Sequence, residues 1–138
     1  MDYFREVNEA YSHEIGDKYI IEVAKVFKKK LRESDIPARY GGDEFTIILP
    51  ETTSSEANIV ADRIFAKLNQ EPIVINGKEI SKITLSIGIA EYKMMEGSHQ
   101  FVHRADVTMY EAKLREGNSV VMSSEASELP ITAMSQKF

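Results

Sequence analysis

The stretch that decides the fold is Arg39-Tyr40-Gly41-Gly42-Asp43-Glu44-Phe45. Adjacent glycines permit positive φ, and the flanking runs 37–40 and 45–49 are rich in residues that favour strands. We therefore predict a β-hairpin with an acidic tip. Its glycines would let backbone amides approach a phosphate, while Asp43 and Glu44 offer the carboxylate oxygens that Mg²⁺ binds. The alternative is an acidic turn without a ligand, since Gly-Asp is common turn chemistry.

Helical and strand patterns alternate on both sides of this hairpin. Four segments place apolar residues at helical spacing, and short β-prone runs separate them. The predicted helices run from about Asp2 to Tyr11, from after Asp17 to Leu31, from Thr53 or Ser54 to near Asn69, and from about Ser98 to Arg115; the other predicted strands are a hairpin over 72–80 that turns at Asn76-Gly77, a longer strand over 83–92 and a short one over 119–122. This alternation predicts an α/β sheet covered by helices.

Composition limits the classes of protein to which the chain can belong. Its 138 residues, 43% of them hydrophobic, suit one compact domain, which we place at 1–122, followed by a tail at 123–138 without clear periodicity. The absence of cysteine excludes disulfides and thiolate metal sites and favours a cytoplasmic location. A net charge of −5 gives no general signal for a nucleic acid polymer, and no apolar run approaches the ~20 residues that span a bilayer.

Several further blocks accompany the hairpin motif in a fixed order. They are Asp2-Tyr3-Phe4 with Asn8, His13 with Gly16-Asp17, Arg32-Glu33-Ser34-Asp35, Leu85-Ser86-Ile87-Gly88-Ile89-Ala90, and Ala105-Asp106 with Met109-Tyr110 and Ala112-Lys113. Together with the motif they resemble the GGDEF domains, the diguanylate cyclases, over residues 1 to about 122. The resemblance implies an α+β sandwich in which a nucleotide-cyclase-like central antiparallel or mixed sheet is flanked by helices.

The resemblance also implies a reaction and its participants. A diguanylate cyclase condenses two GTP molecules into cyclic di-GMP and releases pyrophosphate, with Mg²⁺ or Mn²⁺ as cofactor. Each domain holds one GTP, so a homodimer is expected, because joining two nucleotides symmetrically requires two facing sites. An upstream sensor domain is expected in the parent protein, and cyclic di-GMP is expected as product and inhibitor.

Roles at the hairpin tip follow from the match to the family motif. Gly41 and Gly42 would lie against the nucleotide. Asp43 would bind the metal and help to deprotonate the attacking 3′-hydroxyl, and Glu44 would support the metal site. A metal beside the α-phosphate neutralises the charge that develops there, which gives these assignments a physical basis.

The resemblance implies further substrate contacts on the helices. Asn8 and Asp17 would read the guanine edge; without the resemblance we would place Asn8 on a helix surface and read Asp17 as the N-cap of the long helix. Lys113 would meet the terminal phosphates, although a solvated lysine is the usual alternative. Arg5 stands where the family often has a lysine near the phosphates, and it keeps that charge.

A second, inhibitory site is implied for the product. Arg32 and Asp35 stand ahead of the double glycine where the family binds cyclic di-GMP, and an arginine fork suits a phosphate or a guanine edge. Arg63 matches a position that can complete this site from a neighbouring domain. Taken alone, the quartet 32–35 would be an ordinary helix end and Arg63 an exposed helix arginine.

The chain departs from the family pattern in two places. The family's first strand ends in a metal-binding aspartate two residues before Asp2, so we expect a domain that lacks this strand and is impaired in catalysis. We expect Asp2 to point elsewhere and to be a poor substitute. Gly117 occupies a position where the family commonly has a phosphate-contacting arginine or lysine. The alternative function is an inactive domain that senses cyclic di-GMP or mediates dimerisation.

Overall fold

The computed structural model of the chain describes residues 1–80 and 84–123. The helices are α1 (Phe4–Ala10), α2 (His13–Lys30), α3 (Ser54–Gln70) and α4 (Ser98–Leu114), and the strands are β1 (Ile36–Gly41), β2 (Glu44–Ile48), β3 (Ile73–Ile75), β4 (Lys78–Ile80), β5 (Ser86–Ile89) and β6 (Ser119–Met122). Each predicted helix and strand is confirmed in kind and order. Residue 83 of the predicted longer strand and residues 124–138 of the predicted tail lie outside the described residues.

Two predicted boundaries were wrong. The long helix α2 begins at His13, because the Ser12 side chain caps it by accepting a hydrogen bond from the Ile15 backbone N–H at 3.2 Å. Asp17 therefore lies inside the helix, and its reading as an N-cap is wrong. The predicted strand over 83–92 is shorter, since the β5 ladder with β6 ends at Ile89, opposite Met122.

The strands pair in three units of two. β1 and β2 are antiparallel, as are β3 and β4, whereas β5 and β6 are parallel. The mixed α/β class is thus confirmed, but the described strands form three small sheets instead of one continuous central sheet. Met1 and Asp2 contact the residues that precede β2 and β5: the Met1 nitrogen donates to the Asp43 carbonyl at 2.8 Å, and the Asp2 N–H donates to the Thr84 carbonyl at 2.8 Å.

The core lies between the helices and the small sheets and holds the β1–β2 hairpin in place. Its buried apolar side chains come from α1, α2, α3 and the strands: Val7, Tyr19, Ile20, Val23, Phe27, Val60, Ile64, Ile75, Ile80 and Leu85. Phe45, directly after the hairpin tip, packs edge-on against Phe27 with ring centroids 5.1 Å apart. The tip is therefore anchored to α2 by an aromatic contact one residue away from Glu44.

Helix α4 packs closely against β5 at Gly88. A Cβ at this glycine would lie 2.2 Å from both the Ala105 carbonyl oxygen and the Met109 backbone nitrogen. Only a residue without a side chain allows the strand and the helix backbone to approach this closely. The requirement explains the glycine within the Ser86–Ile89 strand and fixes α4 over the β5–β6 pair.

An ion pair fixes the start of α4 to the loop before it. The Arg104 Nε and Nη2 atoms donate to the two carboxylate oxygens of Glu96 at 2.6 Å each, and Nη2 also donates to the Glu91 carbonyl at 2.6 Å. The Glu96 side chain is 8% exposed. The hydrogen bond from Arg104 is the main cause that lowers the pKa of Glu96 from 4.5 to about 2.

This ion pair predicts a specific loss of stability in acid. Because the pKa of Glu96 is lower in the folded than in the unfolded chain, its contribution is present above pH 4.5 and is lost as the pH falls towards about 2. The difference in urea midpoint between the wild type and Glu96→Gln should therefore be largest above pH 4.5 and shrink towards pH 2. Glu79→Gln, at an exposed position on β4, is the control. A difference for Glu96→Gln that does not change with pH would contradict this assignment.

Candidate nucleotide and metal site

The hairpin tip leaves open space around its glycines. Gly42 has a φ of 53°, in the left-handed region that favours glycine, and its carbonyl accepts a hydrogen bond from Arg39 Nε at 2.9 Å. Gly41 is outside the positive-φ region. A Cβ at either glycine would meet nothing within 4 Å. Contacts among the described residues therefore do not explain the glycine at position 41.

A cavity of about 410 Å³ opens beside this tip. It is lined by Phe4, Arg5, Asn8, Glu9, His13 and Asp43. Three predicted site residues, Arg5, Asn8 and Asp43, are thus brought together from α1 and from the hairpin. The Met1 nitrogen lies 3.5 Å from the Asp43 carboxylate, in addition to its bond to the Asp43 carbonyl. Arg5, Asn8 and Asp43 thus bring a guanidinium, an amide and a carboxylate to the same cavity.

Asn8 is held in a tight position at the contact between α1 and α2. A Cβ on Gly16 would lie 1.9 Å from Asn8 Oδ1, so the asparagine packs directly against this glycine. Asn8 Oδ1 is buried and has no hydrogen-bond partner within the described part of the chain. The reading of Asn8 as a helix-surface residue is therefore wrong. Leaving a buried acceptor unpaired costs about 1–3 kcal/mol.

Asp17, the second predicted guanine contact, is exposed on α2 directly after Gly16. It does not line the 410 Å³ cavity. Asp17 directly follows Gly16, the residue of α2 against which Asn8 packs.

The acidic tip offers two carboxylates for a divalent cation. Asp43 and Glu44 are both partly exposed, and Glu44 is paired with Gly41 across the hairpin. Within residues 1–80 and 84–123, no group of three or more His, Asp or Glu side chains could hold a metal. Mg²⁺ is commonly bound by one or two carboxylates together with water and substrate phosphates. Asp43 and Glu44 therefore fit Mg²⁺ or Mn²⁺ that is held jointly with a nucleotide.

Asp2 has a different role from that of a metal ligand, as expected. Its buried carboxylate accepts hydrogen bonds from Thr84 Oγ1 at 2.9 Å, from Ser86 Oγ at 2.7 Å and from the Asn118 backbone N–H at 3.1 Å. A Cβ on Gly117 would lie 2.8 Å from its Oδ2 atom. Asp2 thus connects the approach to β5 with the turn between α4 and β6, and Gly117 is required by this contact.

Lys113 lies in a different place from the other predicted phosphate contacts. It is exposed on α4 and lines a second cavity of about 270 Å³ together with Met1, Asp2, Tyr3, Glu116 and Gly117. The structure does not place it in the cavity that contains Asp43 and Arg5. The two cavities share no lining residue, but Met1, which bonds to Asp43, belongs to the second.

The predicted product-site residues Arg32 and Asp35 are adjacent after α2. Asp35 accepts the Arg32 backbone N–H at 2.7 Å, and Arg32 Nε lies 3.5 Å from the other carboxylate oxygen. Arg32 Nη2 also donates to Thr52 Oγ1 at 2.6 Å. The Asp35 side chain is 1% exposed and that of Arg32 is 56% exposed, so the arginine faces solvent while the aspartate closes the loop. Arg63 is exposed on α3, as a contact with a neighbouring domain requires.

Sequence reasoning missed three residues that shape the site. Glu9 and His13 line the 410 Å³ cavity, and Arg39 binds the tip carbonyl. Glu9 follows Arg5 by four residues, a helical spacing that could have indicated an ion pair. His13 belongs to one of the blocks that carry the resemblance, but the sequence does not show that the start of α2 lies beside the hairpin.

The small sheets, the covering helices and the acidic hairpin together define a mixed α/β domain with a cavity beside the hairpin tip. The family model described as "Diguanylate cyclase, GGDEF domain" matches residues 1–119. The chain belongs to this family. Among curated relatives, Diguanylate cyclase A of Treponema denticola is 40% identical over 124 residues, which are 89% of this chain and 33% of that protein. Response regulator PleD of Caulobacter vibrioides is 35% identical, over 88% of this chain and 27% of that protein.

Solved structures agree with this membership. The GGDEF domain of PA1120 from Pseudomonas aeruginosa has a TM-score of 0.83 and 34% identity, covering 89% of this chain and 77% of that one. The GGDEF domain of DgcB from Caulobacter crescentus, in complex with c-di-GMP, has a TM-score of 0.83 and 30% identity, covering 88% and 72%. The chain spans about a third or less of the curated relatives named above. Among the described residues, no helix combines the length and apolar character needed to cross a bilayer.

Proposed function

We propose that this chain is a diguanylate cyclase domain that condenses two GTP molecules into cyclic di-GMP and releases pyrophosphate. The observation that carries the proposal is the cavity shared by Asp43, Arg5 and Asn8, in which the Asn8 Oδ1 atom is buried without a donor. A carboxylate, a cation and an unpaired amide oxygen suit the metal, the phosphates and the base of one nucleotide. The names of the relatives point to the same reaction.

Each group would contribute a distinct step. Asn8, together with Asp17, holds the guanine so that the triphosphate reaches the hairpin tip. Gly41 and Gly42 leave room for the phosphate against the backbone. The 3′-oxygen of the opposing nucleotide attacks the α-phosphorus, its proton moves towards Asp43, and the bond to pyrophosphate breaks. A bound divalent cation, held by Asp43 and Glu44, would supply neutralisation of the phosphate charge.

The reaction requires two copies of the domain. The cavity beside Asp43 is suited to one nucleotide, and a symmetric product with two phosphodiester bonds needs two nucleotides in facing sites. We therefore propose a homodimer as the catalytic form. Arg5 and Lys113, which line separate cavities, would meet the phosphates from two sides.

The experiment that tests the proposal is a turnover assay with GTP and Mg²⁺, in which cyclic di-GMP and pyrophosphate are both quantified. We would assay the chain itself and a version extended at its amino end by a strand that places an aspartate two residues before Asp2. The tip offers only two carboxylates, so we expect slow turnover by the chain and faster turnover by the extended version. If the folded, extended protein made no cyclic di-GMP, the proposal would be wrong.

A second candidate function is the sensing of cyclic di-GMP without turnover. The observation that favours it is Arg32, whose side chain is 56% exposed and is oriented by Thr52. An oriented and accessible guanidinium suits a phosphate or a guanine edge. Tight product binding by a protein that makes no product would favour this function over the first.

The product site yields a separate prediction. Arg32→Ala should weaken cyclic di-GMP binding by about 10- to 100-fold, the range expected when charged hydrogen bonds are lost. Calorimetry would measure the affinity, with Lys29→Ala, at an exposed position in the last turn of α2, as the charge-matched control. Thr52→Ala should weaken binding less, because it removes only the group that orients Arg32. Equal affinities for Arg32→Ala and the wild type would exclude this site.

A further inference from the structure

An ion pair lies at the mouth of the candidate nucleotide cavity. Arg5 Nε donates to Glu9 Oε1 at 2.8 Å, and both side chains line the cavity that contains Asp43. The Arg5 side chain is 87% exposed and that of Glu9 is 62% exposed. An exposed pair of this kind is weak, about 0.2–1 kcal/mol, so a stronger anion can displace the glutamate. The arginine proposed to meet the phosphates is thus already bound to a carboxylate.

The order of its two residues makes this pair a weak stabiliser of its helix. Helix α1 has only seven residues, Phe4–Ala10, and Glu9 lies in its last turn, which contains no basic residue. The helix dipole favours acidic residues at the start and basic residues at the end, so the order of Arg5 and Glu9 is the unfavourable one. By contrast, Glu14 precedes Lys18 on α2 at the same spacing and the same 2.8 Å distance, in the favourable order.

We infer that Glu9 is a positioning and specificity-determining residue that sets how strongly the site responds to the number of phosphates on its nucleotide. Glu9 holds Arg5 beside the cavity through Nε and repels an incoming polyphosphate, and its carboxylate competes with a phosphate for the guanidinium. The repulsion grows with ligand charge, and the competition arises only for a ligand that carries a phosphate, so together they weaken the binding of GTP more than that of GDP or guanosine. This inference rests on the proposed function, since it assumes that the cavity binds a guanine nucleotide.

The test compares Glu9→Gln with the wild type by calorimetry, with guanosine, GDP and GTP in the presence of Mg²⁺. We expect Glu9→Gln to bind GTP about two- to fivefold more tightly, GDP with a smaller gain and guanosine with no change. Glu14→Gln is the matched control, because it removes the carboxylate of an equivalent ion pair that does not line the cavity, and it should change none of the three affinities.

A second variant separates the two parts of the inference. In an Arg5→Gln background, Glu9→Gln should still improve GTP binding, but by less, because only the direct repulsion is relieved. An equal gain for all three ligands, or the same gain in Glu14→Gln, would overturn the inference. The inference would also be overturned if Glu9→Gln and the wild type bound guanosine and GTP with the same affinities. That outcome would leave the proposed function standing. A folded wild-type chain that binds neither GTP nor guanosine would overturn both.

Discussion

Replacing Asp43 by asparagine should lower the rate of cyclic di-GMP formation by about 100-fold or more. Asp43 lines the 410 Å³ cavity and is one of the two carboxylates at the hairpin tip. Asparagine has nearly the same shape but lacks the charge that holds a divalent cation and accepts a proton. The loss should therefore appear in kcat and in the Mg²⁺ dependence of GTP binding, whereas the affinity for guanosine should stay the same.

The measurement uses the strand-extended protein, because its faster expected turnover allows a loss of about 100-fold to be measured. Glu44→Gln should reduce the rate less, because Glu44 does not line the cavity. Asp62→Asn, at an exposed position on α3, removes an equal charge and should leave the rate unchanged. The Asp43 carbonyl, which accepts the Met1 nitrogen, is kept in the variant, so the hairpin should remain folded. Full activity of Asp43→Asn with the normal Mg²⁺ dependence would remove the metal role from this residue.

Local sequence signals predicted most of the fold because the physical cause lies within a few residues. Asn76 and Gly77 have φ values of 53° and 77°, so the dipeptide forms the hairpin turn that its composition predicts. Thr53 and Glu56 cap α3 reciprocally, as the spacing of the two residues allows. The start of α2 was misplaced because Ser12 and Asp17 are both plausible caps, and only the bond from Ile15 distinguishes them.

Contacts between distant segments could not be predicted in this way. The sequence resemblance named Arg5, Asn8 and Asp43, but only the fold shows that they line one cavity and that Lys113 lines another. Arg104 and Glu96 are eight residues apart, a spacing that does not by itself indicate the hydrogen bond between them. The exposed Arg32 and the buried Asp35 likewise differ only because the loop after α2 closes over the aspartate.

Asp2 is the clearest case of such a contact and predicts the second large effect. Its carboxylate accepts three hydrogen bonds, from the side chains of Thr84 and Ser86 and from the backbone N–H of Asn118. These donors are 82, 84 and 116 positions away in the sequence, respectively. Asp2→Ala would leave these donors without their acceptor in a buried site. We expect the free energy of unfolding to fall by about 3 kcal/mol, a large part of the roughly 5–15 kcal/mol of a typical domain.

Urea denaturation of Asp2→Ala, Asp2→Asn and Asp62→Ala would measure this effect. Asparagine keeps one carbonyl acceptor, and the Thr84 and Ser86 hydroxyls can rotate, so Asp2→Asn should lose less stability than Asp2→Ala. Asp62→Ala, at an exposed position, should lose the least stability. If Asp2→Ala were as stable as Asp62→Ala, the buried network would have no energetic role.

The expected loss matters for function because the same carboxylate lies against Gly117, beside the cavity that contains Lys113. Asp2 thus supports the end of α4 that would meet the terminal phosphates, and its replacement should weaken GTP binding even at temperatures where the domain stays folded.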